Sequence, residues 1–194
     1  KITDARLAEL AGVSLADLAA LQQGKPIYAA LRRVARHLRL DPEALEVLAK
    51  GGWYPQQPVF PRGFAMFNTP CGDMRVNSFL IWDPRTREAA AIDTGADCED
   101  MLHLIRSTQL DLRHIFITHS HEDHVGALPQ LADATRAMVW RSEREPELAR
   151  PSRTFTENAY FHLGGNIAIK TLLVNGHTPG LTTFFVTGLS WPLA

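Results

Sequence analysis

Residues 118–124 read Thr118-His119-Ser120-His121-Glu122-Asp123-His124, directly after the apolar run Ile115-Phe116-Ile117. Imidazoles this dense fit poorly into a packed core, because an unpaired polar ring is costly to bury. They suit a borderline-soft divalent metal, which at neutral pH takes imidazole nitrogen and carboxylate oxygen. In an extended segment side chains alternate faces, so His119 and His121 fall on one side. Asp123 and His124 follow where the chain turns and can aim at a second point. The cluster therefore predicts ligands for two adjacent metals. It also constrains the fold, because a short buried strand over residues 113–117 has to end at the site and release a loop there.

A chain of 194 residues allows one or two domains. Its 45% hydrophobic and 21% charged residues are those of an ordinary globular protein. A net charge of −1 gives no global attraction to nucleic acid or to an anionic membrane. Cys71 and Cys98 make neither a disulfide framework nor a zinc-finger spacing, and read as small half-buried hydrophobes. No apolar run reaches the ~18 residues that span a bilayer. Nor does a charged segment followed by an apolar one open the chain. The expected location is the cytoplasm, with no membrane partner.

The first fifty residues are helical in pattern. Thr3 or Asp4 can cap a helix carrying Leu7, Leu10 and Ala11 that stops at Gly12. Ser14 can cap a second, with Leu15, Leu18, Ala19 and Leu21 at helical spacing. Pro26 lies near the start of a third, and Asp41-Pro42 opens a fourth. Residues 7–14, with Gly24-Lys25 beyond, resemble the helix-turn-helix of Cro/repressor-type DNA-binding domains. That resemblance makes the helix from Ser14 the recognition helix. Major-groove reading uses Arg, Lys, Asn or Gln, yet this helix offers Leu15, Ala16, Asp17, Leu18, Ala19 and Ala20. Arg32, Arg36 and Arg39 share one helical face that could meet phosphates. Residues 1–52 hold 8 basic and 6 acidic side chains, a weak electrostatic footprint. DNA is therefore not expected as a partner, and the domain reads as an accessory module for self-association.

A Pro- and Gly-rich linker over residues 53–63 separates this domain from a second over residues 64–194. There, residues 76–82 and 89–92 flank Asp83-Pro84-Arg85-Thr86 as a hairpin. Residues 99–107 and 125–131 are expected helices, the latter with Pro129 tolerated only in a first turn. Residues 137–140, 167–174 and 182–186 are further expected strands. The four tryptophans, Trp53, Trp82, Trp140 and Trp191, read as packing residues.

The order of His119, His121, Asp123 and His124 resembles the His-x-His-x-Asp-His signature of the metallo-β-lactamase-fold hydrolases. A second match is Gly176-His177-Thr178-Pro179-Gly180, whose form resembles the glyoxalase II-like branch. The resemblance implies an α/β fold, a partial αββα sandwich with its site at one sheet edge, preceded by the small all-α domain. It assigns His119, His121 and His177 to a first metal, and Asp123 and His124 to a second. Two zinc ions are implied for the full-length protein, with iron or manganese as alternatives. The implied reaction is attack by a metal-bound hydroxide, oriented by Asp123, on an ester-like acyl bond. The implied substrate is a small-molecule thioester such as an acylglutathione. The family also uses a bridging aspartate and a last histidine after the Gly-His-Thr-Pro-Gly loop. Residues 181–194 contain neither, so these ligands are expected beyond Ala194 and the chain is expected to be incomplete there. Asp93, in Ile92-Asp93-Thr94-Gly95, matches a family position at a strand end. Support of a ligand and a simple turn role are both open for it.

Three rival readings share these residues. A persulfide dioxygenase-like enzyme would use one iron with His119, His177 and the aspartate expected beyond Ala194. A β-CASP-type nuclease would need a large nucleic-acid-binding insertion and a more basic surface. A DNA-binding regulator with a metal-binding sensor domain would require salt-dependent duplex binding through Arg32 and Arg36. The Gly-His-Thr-Pro-Gly loop favours the hydrolase.

Overall fold

A computed structural model describes residues 2–52, 59–174 and 176–189. Most of the expected linker, with Trp53, and the chain end, with Trp191, lie outside the described residues. The chain divides into two compact units, Lys1–Pro58 and Val59–Ala194.

The first unit holds four helices, α1 (Asp4–Ala11), α2 (Leu15–Gln22), α3 (Tyr28–His37) and α4 (Pro42–Ala49). Each of the expected caps is made. The Thr3 hydroxyl accepts from Arg6 N, the Ser14 hydroxyl from Asp17 N, and the Asp41 carboxylate from the amides of Glu43 and Ala44. Gly12 ends α1 at φ 61°, a left-handed conformation that glycine adopts without steric cost. The core is small, joining Leu7, Ala8 and Ala11 of α1 to Leu18 of α2 and Val34 of α3. The expected three-arginine face is shorter than its spacing suggests. Helix α3 stops at His37, Arg39 turns to φ 58°, and Leu40 N bonds back to Ala35 O at 2.9 Å. Of the two arginines left on the helix, Arg32 is committed to Glu46, the single buried residue of α4. Hydrogen bonds from Arg32 and then Lys50 pull the Glu46 carboxyl down to about 2.

The second unit is built on a six-stranded sheet in the order β1-β2-β3-β4-β5-β6. The strands are β1 (Phe64–Cys71), β2 (Met74–Trp82), β3 (Glu88–Ile92), β4 (Asp111–Phe116), β5 (Met138–Ser142) and β6 (Arg153–Phe155). The first three pair antiparallel, with β2 and β3 forming the expected hairpin, and β3 through β6 run parallel. A second, antiparallel sheet contains β7 (Tyr160–Leu163), β8 (Ile167–Leu173) and β9 (Thr182–Thr187). Strands β1, β6 and β7 were not expected. Pro70 is tolerated in β1 because that strand is an edge, where an absent N–H breaks no ladder.

Helices α5 (Glu99–Ser107), α6 (Glu122–Val125) and α7 (Leu128–Thr135) complete the unit. The helix expected over residues 125–131 is thus corrected to two pieces. Pro129 sits in the first turn of α7, where a missing N–H disrupts no helical bond, so the helix starts at Leu128.

Period-two alternation sends neighbouring residues of the central strands into different layers. Ala89 and Ala91 of β3, with Leu112 and Ile115 of β4, pack beneath Met101, Ile105, Leu128 and Leu131 of the helices. Ala90, Ile92 and Phe116 instead face Leu163, Ile167 and Ile169 of the second sheet. The expected α/β layering is found as helix, sheet and sheet. Among the described residues no helix is long and apolar enough to cross a membrane. Burial pushes the Cys98 thiol up to about 11, which makes it an unreactive core residue.

Phe116 is fully buried between the sheets, with its ring centroid 4.6 Å from Phe161 and 5.2 Å from Phe184. Replacing it by alanine should lower stability by about 3–5 kcal/mol, read as a fall in the urea midpoint with an unchanged slope. A loss below about 1 kcal/mol would contradict this two-sheet core.

Candidate metal centre

Three parallel strands deliver the site. The chain leaves β3 at Asp93, β4 at the loop of residues 118–121, and β5 at the turn carrying Glu145. Backbone bonds keep the exits in step. Asp93 N donates to Phe116 O at 2.8 Å, and Ile117 N to Trp140 O at 2.9 Å. Thr182 N, opening β9, reaches Thr118 O at 3.0 Å and brings the loop of residues 176–180 to the same edge.

His119, His121 and His177 converge so that one nitrogen from each lies within 4.8 Å of the other two. His177 Nε2 and His121 Nδ1 are 2.9 Å apart. Nitrogens bound at ~2.0–2.1 Å around a tetrahedral ion would stand ~3.3 Å from one another. Modest ring movements would therefore seat a cation, and the all-imidazole donor set fits a divalent transition metal. His119 is buried, whereas His121 and His177 are exposed, which leaves the centre open on one side. Burial, then the neighbouring His124, lowers the pKa of His119. That shift favours the neutral ring, the form that ligates.

Asp93 organises the loop from the β3 side. It is 2% exposed and adopts φ 57°, which Asp tolerates better than most residues. Its Oδ1 accepts from Thr118 N at 2.7 Å, and its Oδ2 from Thr118 Oγ1 at 2.7 Å. With its proton on Asp93, the Thr118 oxygen accepts from His119 Nδ1 at 3.0 Å. The lone pair of His119 then lies on Nε2, free for a metal. Asp93 Oδ2 also accepts from His124 Nδ1 at 2.7 Å, leaving His124 Nε2 beside Asp123 Oδ2 at 3.5 Å. Burial lowers the His124 pKa, but the bond to Asp93 and its charge outweigh this and leave it raised. Both roles open for Asp93 are therefore filled by one side chain, which turns the chain and orients two rings. A carboxylate behind a ligating imidazole fixes its tautomer and strengthens it as a ligand.

The sequence motifs give no sign of Glu145. It is 4% exposed and lies where the loops after β4 and β8 meet. Oε2 accepts from Ser120 N at 2.9 Å and Ser120 Oγ at 2.6 Å. Oε1 accepts from Thr178 Oγ1 at 2.5 Å and Gly180 N at 2.9 Å. Burial pushes its carboxyl upward, but the bonds from Ser120, Thr178 and Gly180 outweigh that and hold it below the ordinary range. Nothing in the residues around Ser142-Glu143-Arg144-Glu145 distinguishes this glutamate from a solvated one.

All five residues expected as ligands thus gather at one edge. Three meet as a single donor group, while Asp123 and His124 offer a second, two-donor point beside it. The ring centroids of His119 and His124 lie 4.1 Å apart with their planes tilted by 51°, so the two points are adjacent.

The family model of the metallo-beta-lactamase superfamily matches residues 71–189. The chain is 30% identical over 130 residues to the hydroxyacylglutathione hydrolase GloC of Haemophilus influenzae, covering 57% of this chain and 61% of that protein. It is 34% identical over 111 residues to the hydroxyacylglutathione hydrolase of Pseudomonas fluorescens, covering 57% and 43%. The chain therefore spans about half the length of the curated relatives it matches. Its fold is similar to that of ETHE1 from Myxococcus xanthus, with a TM-score of 0.53 at 24% identity over 63% of this chain and 53% of that one. A metallo-beta-lactamase from Staphylococcus aureus gives 0.53 at 24% identity, over 64% and 37%. With the family's match running through both histidine loops and across more than half of its length, the chain belongs to the metallo-beta-lactamase superfamily.

Proposed function

We propose that the protein is a metal-dependent hydrolase of an ester-like acyl bond, acting on thioesters of the hydroxyacylglutathione class. The observation that carries this reading is the convergence of His119, His121 and His177 within 4.8 Å, beside the donors of Asp123 and His124. The hydroxyacylglutathione hydrolases among its relatives support the substrate class. A bound divalent cation, zinc by its fit to imidazole donors, would polarise the acyl carbonyl and acidify a coordinated water.

The protein's own residues do the rest. Asp93 and Thr118 keep His119 and His124 in the tautomers that point Nε2 into the site. Asp123, half-buried beside His124, offers a carboxylate that can orient the attacking water and hold its proton. A cavity of about 630 Å³ adjoins the site. Phe64, Phe79, Ile81 and Phe184 give it an apolar wall suited to an acyl chain, and Arg75 and Asn77 give it a polar end. The helical unit is proposed as an accessory module for self-association.

Hydrolysis of an S-acylglutathione by the purified full-length protein tests the proposal. Activity should vanish on chelation, return with zinc, and fall at least about 100-fold in His121→Ala. A metal-loaded protein that turns over no thioester, lactone or β-lactam would contradict the hydrolase reading. One iron per chain in place of zinc would favour the dioxygenase alternative.

A further inference from the structure

The two loops that carry the three histidines make no backbone ladder with each other among the described residues, yet His177 and His121 meet at 2.9 Å. Beyond the single backbone bond from Thr182 N to Thr118 O at their base, what spans them is Glu145. One carboxylate oxygen takes both donors of Ser120, which lies between His119 and His121. The other takes the Thr178 hydroxyl and the Gly180 amide, which follow His177 in its loop. The backbone of Glu145 is itself anchored. Glu145 N donates to Ser142 O at 3.1 Å, and Arg141 donates to Glu145 O at 2.6 Å.

A steric observation points the same way. A Cβ placed on Gly180 would lie 2.7 Å from Glu145 Cγ and 2.8 Å from Oε1. The backbone of the second loop is pressed against the glutamate as closely as only glycine permits, although Gly180 has no positive φ to require that residue.

We infer that Glu145 is a positioning residue that clasps the two histidine loops and so sets the distance of His177 from His119 and His121. It touches no ligand nitrogen and acts through Ser120, Thr178 and Gly180. Carboxylate chemistry is needed for this. All four groups it meets are donors or hydroxyls, and an ionised carboxylate presents acceptors on both oxygens. Glutamine keeps the volume but turns one oxygen into an NH2. Whichever way the amide is flipped, either Ser120 N or Gly180 N faces a donor, and one loop is released. Aspartate keeps the charge but is one methylene short of reaching both loops.

The inference rests on the metal-binding reading, and the test separates the two. Cobalt(II) is titrated into metal-free wild type and Glu145→Gln, with affinity read by competition against a chromophoric chelator and geometry read from the visible spectrum. Glu145→Gln should bind cobalt(II) about 10–100-fold more weakly, with a changed spectrum at saturation. Ser120→Ala and Thr178→Val should each weaken binding less, and their effects should be non-additive because both act through one carboxylate. Should Glu145→Gln lose its cooperative melt without metal, this milder pair carries the test. Wild-type affinity and spectrum in the variants, with only the metal-free melt lowered, would reduce Glu145 to a fold-stabilising residue and overturn the inference. A wild type that binds no cobalt(II) would overturn it together with the metal reading, whereas tight wild-type binding with unaffected variants removes the clasp alone.

Discussion

Two buried carboxylates hold the centre together, one on each side of the strand that feeds it. Asp93 leaves β3 and Glu145 follows β5, and the loop between them leaves β4. A carboxylate out of water is costly unless its oxygens are satisfied. Here Asp93 takes Thr118 N, Thr118 Oγ1 and His124 Nδ1, while Glu145 takes Ser120 and the loop around His177. The satisfaction of the two acids and the fixing of the site histidines are the same set of bonds. A loop with no regular secondary structure thereby acquires a defined shape.

That arrangement depends on the parallel run of β3, β4 and β5. Parallel neighbours release their chains at the same sheet edge, so residues far apart in sequence arrive together. The strands beneath are buried on both faces, with Ala89, Ala90 and Ala91 in β3 small enough to serve a helical layer and a second sheet at once. Gly126 lets the turn after His124 come close, since a Cβ there would lie 3.3 Å from Ala96 Cα. Packing in the core thus reaches the site through backbone bonds such as Thr94 N to His124 O at 3.0 Å.

Much of this was legible in the sequence, for identifiable reasons. His119, His121, Asp123, His124 and His177 stand in two dense motifs whose residue types have few other uses. Helix caps at Thr3, Ser14 and Asp41 follow local rules and were readable. Glu145 was not, because its role arises from two loops meeting in space and leaves no spacing in the chain. Asp93 was visible as a strand-end residue, but its hold on two imidazoles depends on the left-handed turn at φ 57°. Strand β1 was hidden by Asn68, Thr69 and Pro70, which read as loop residues until the edge position explains them. The third arginine of the expected basic face was lost to a helix end that spacing alone does not mark.

Residues from both loops are proposed to form one nitrogen-donor metal centre. X-ray absorption at the zinc edge of the stoichiometrically loaded protein tests it most directly. Three imidazole nitrogens per ion are expected at ~2.0–2.1 Å, with outer-ring scattering that drops by one ring in His177→Ala. A spectrum with no imidazole scattering, or one that His177→Ala leaves unchanged, would contradict it.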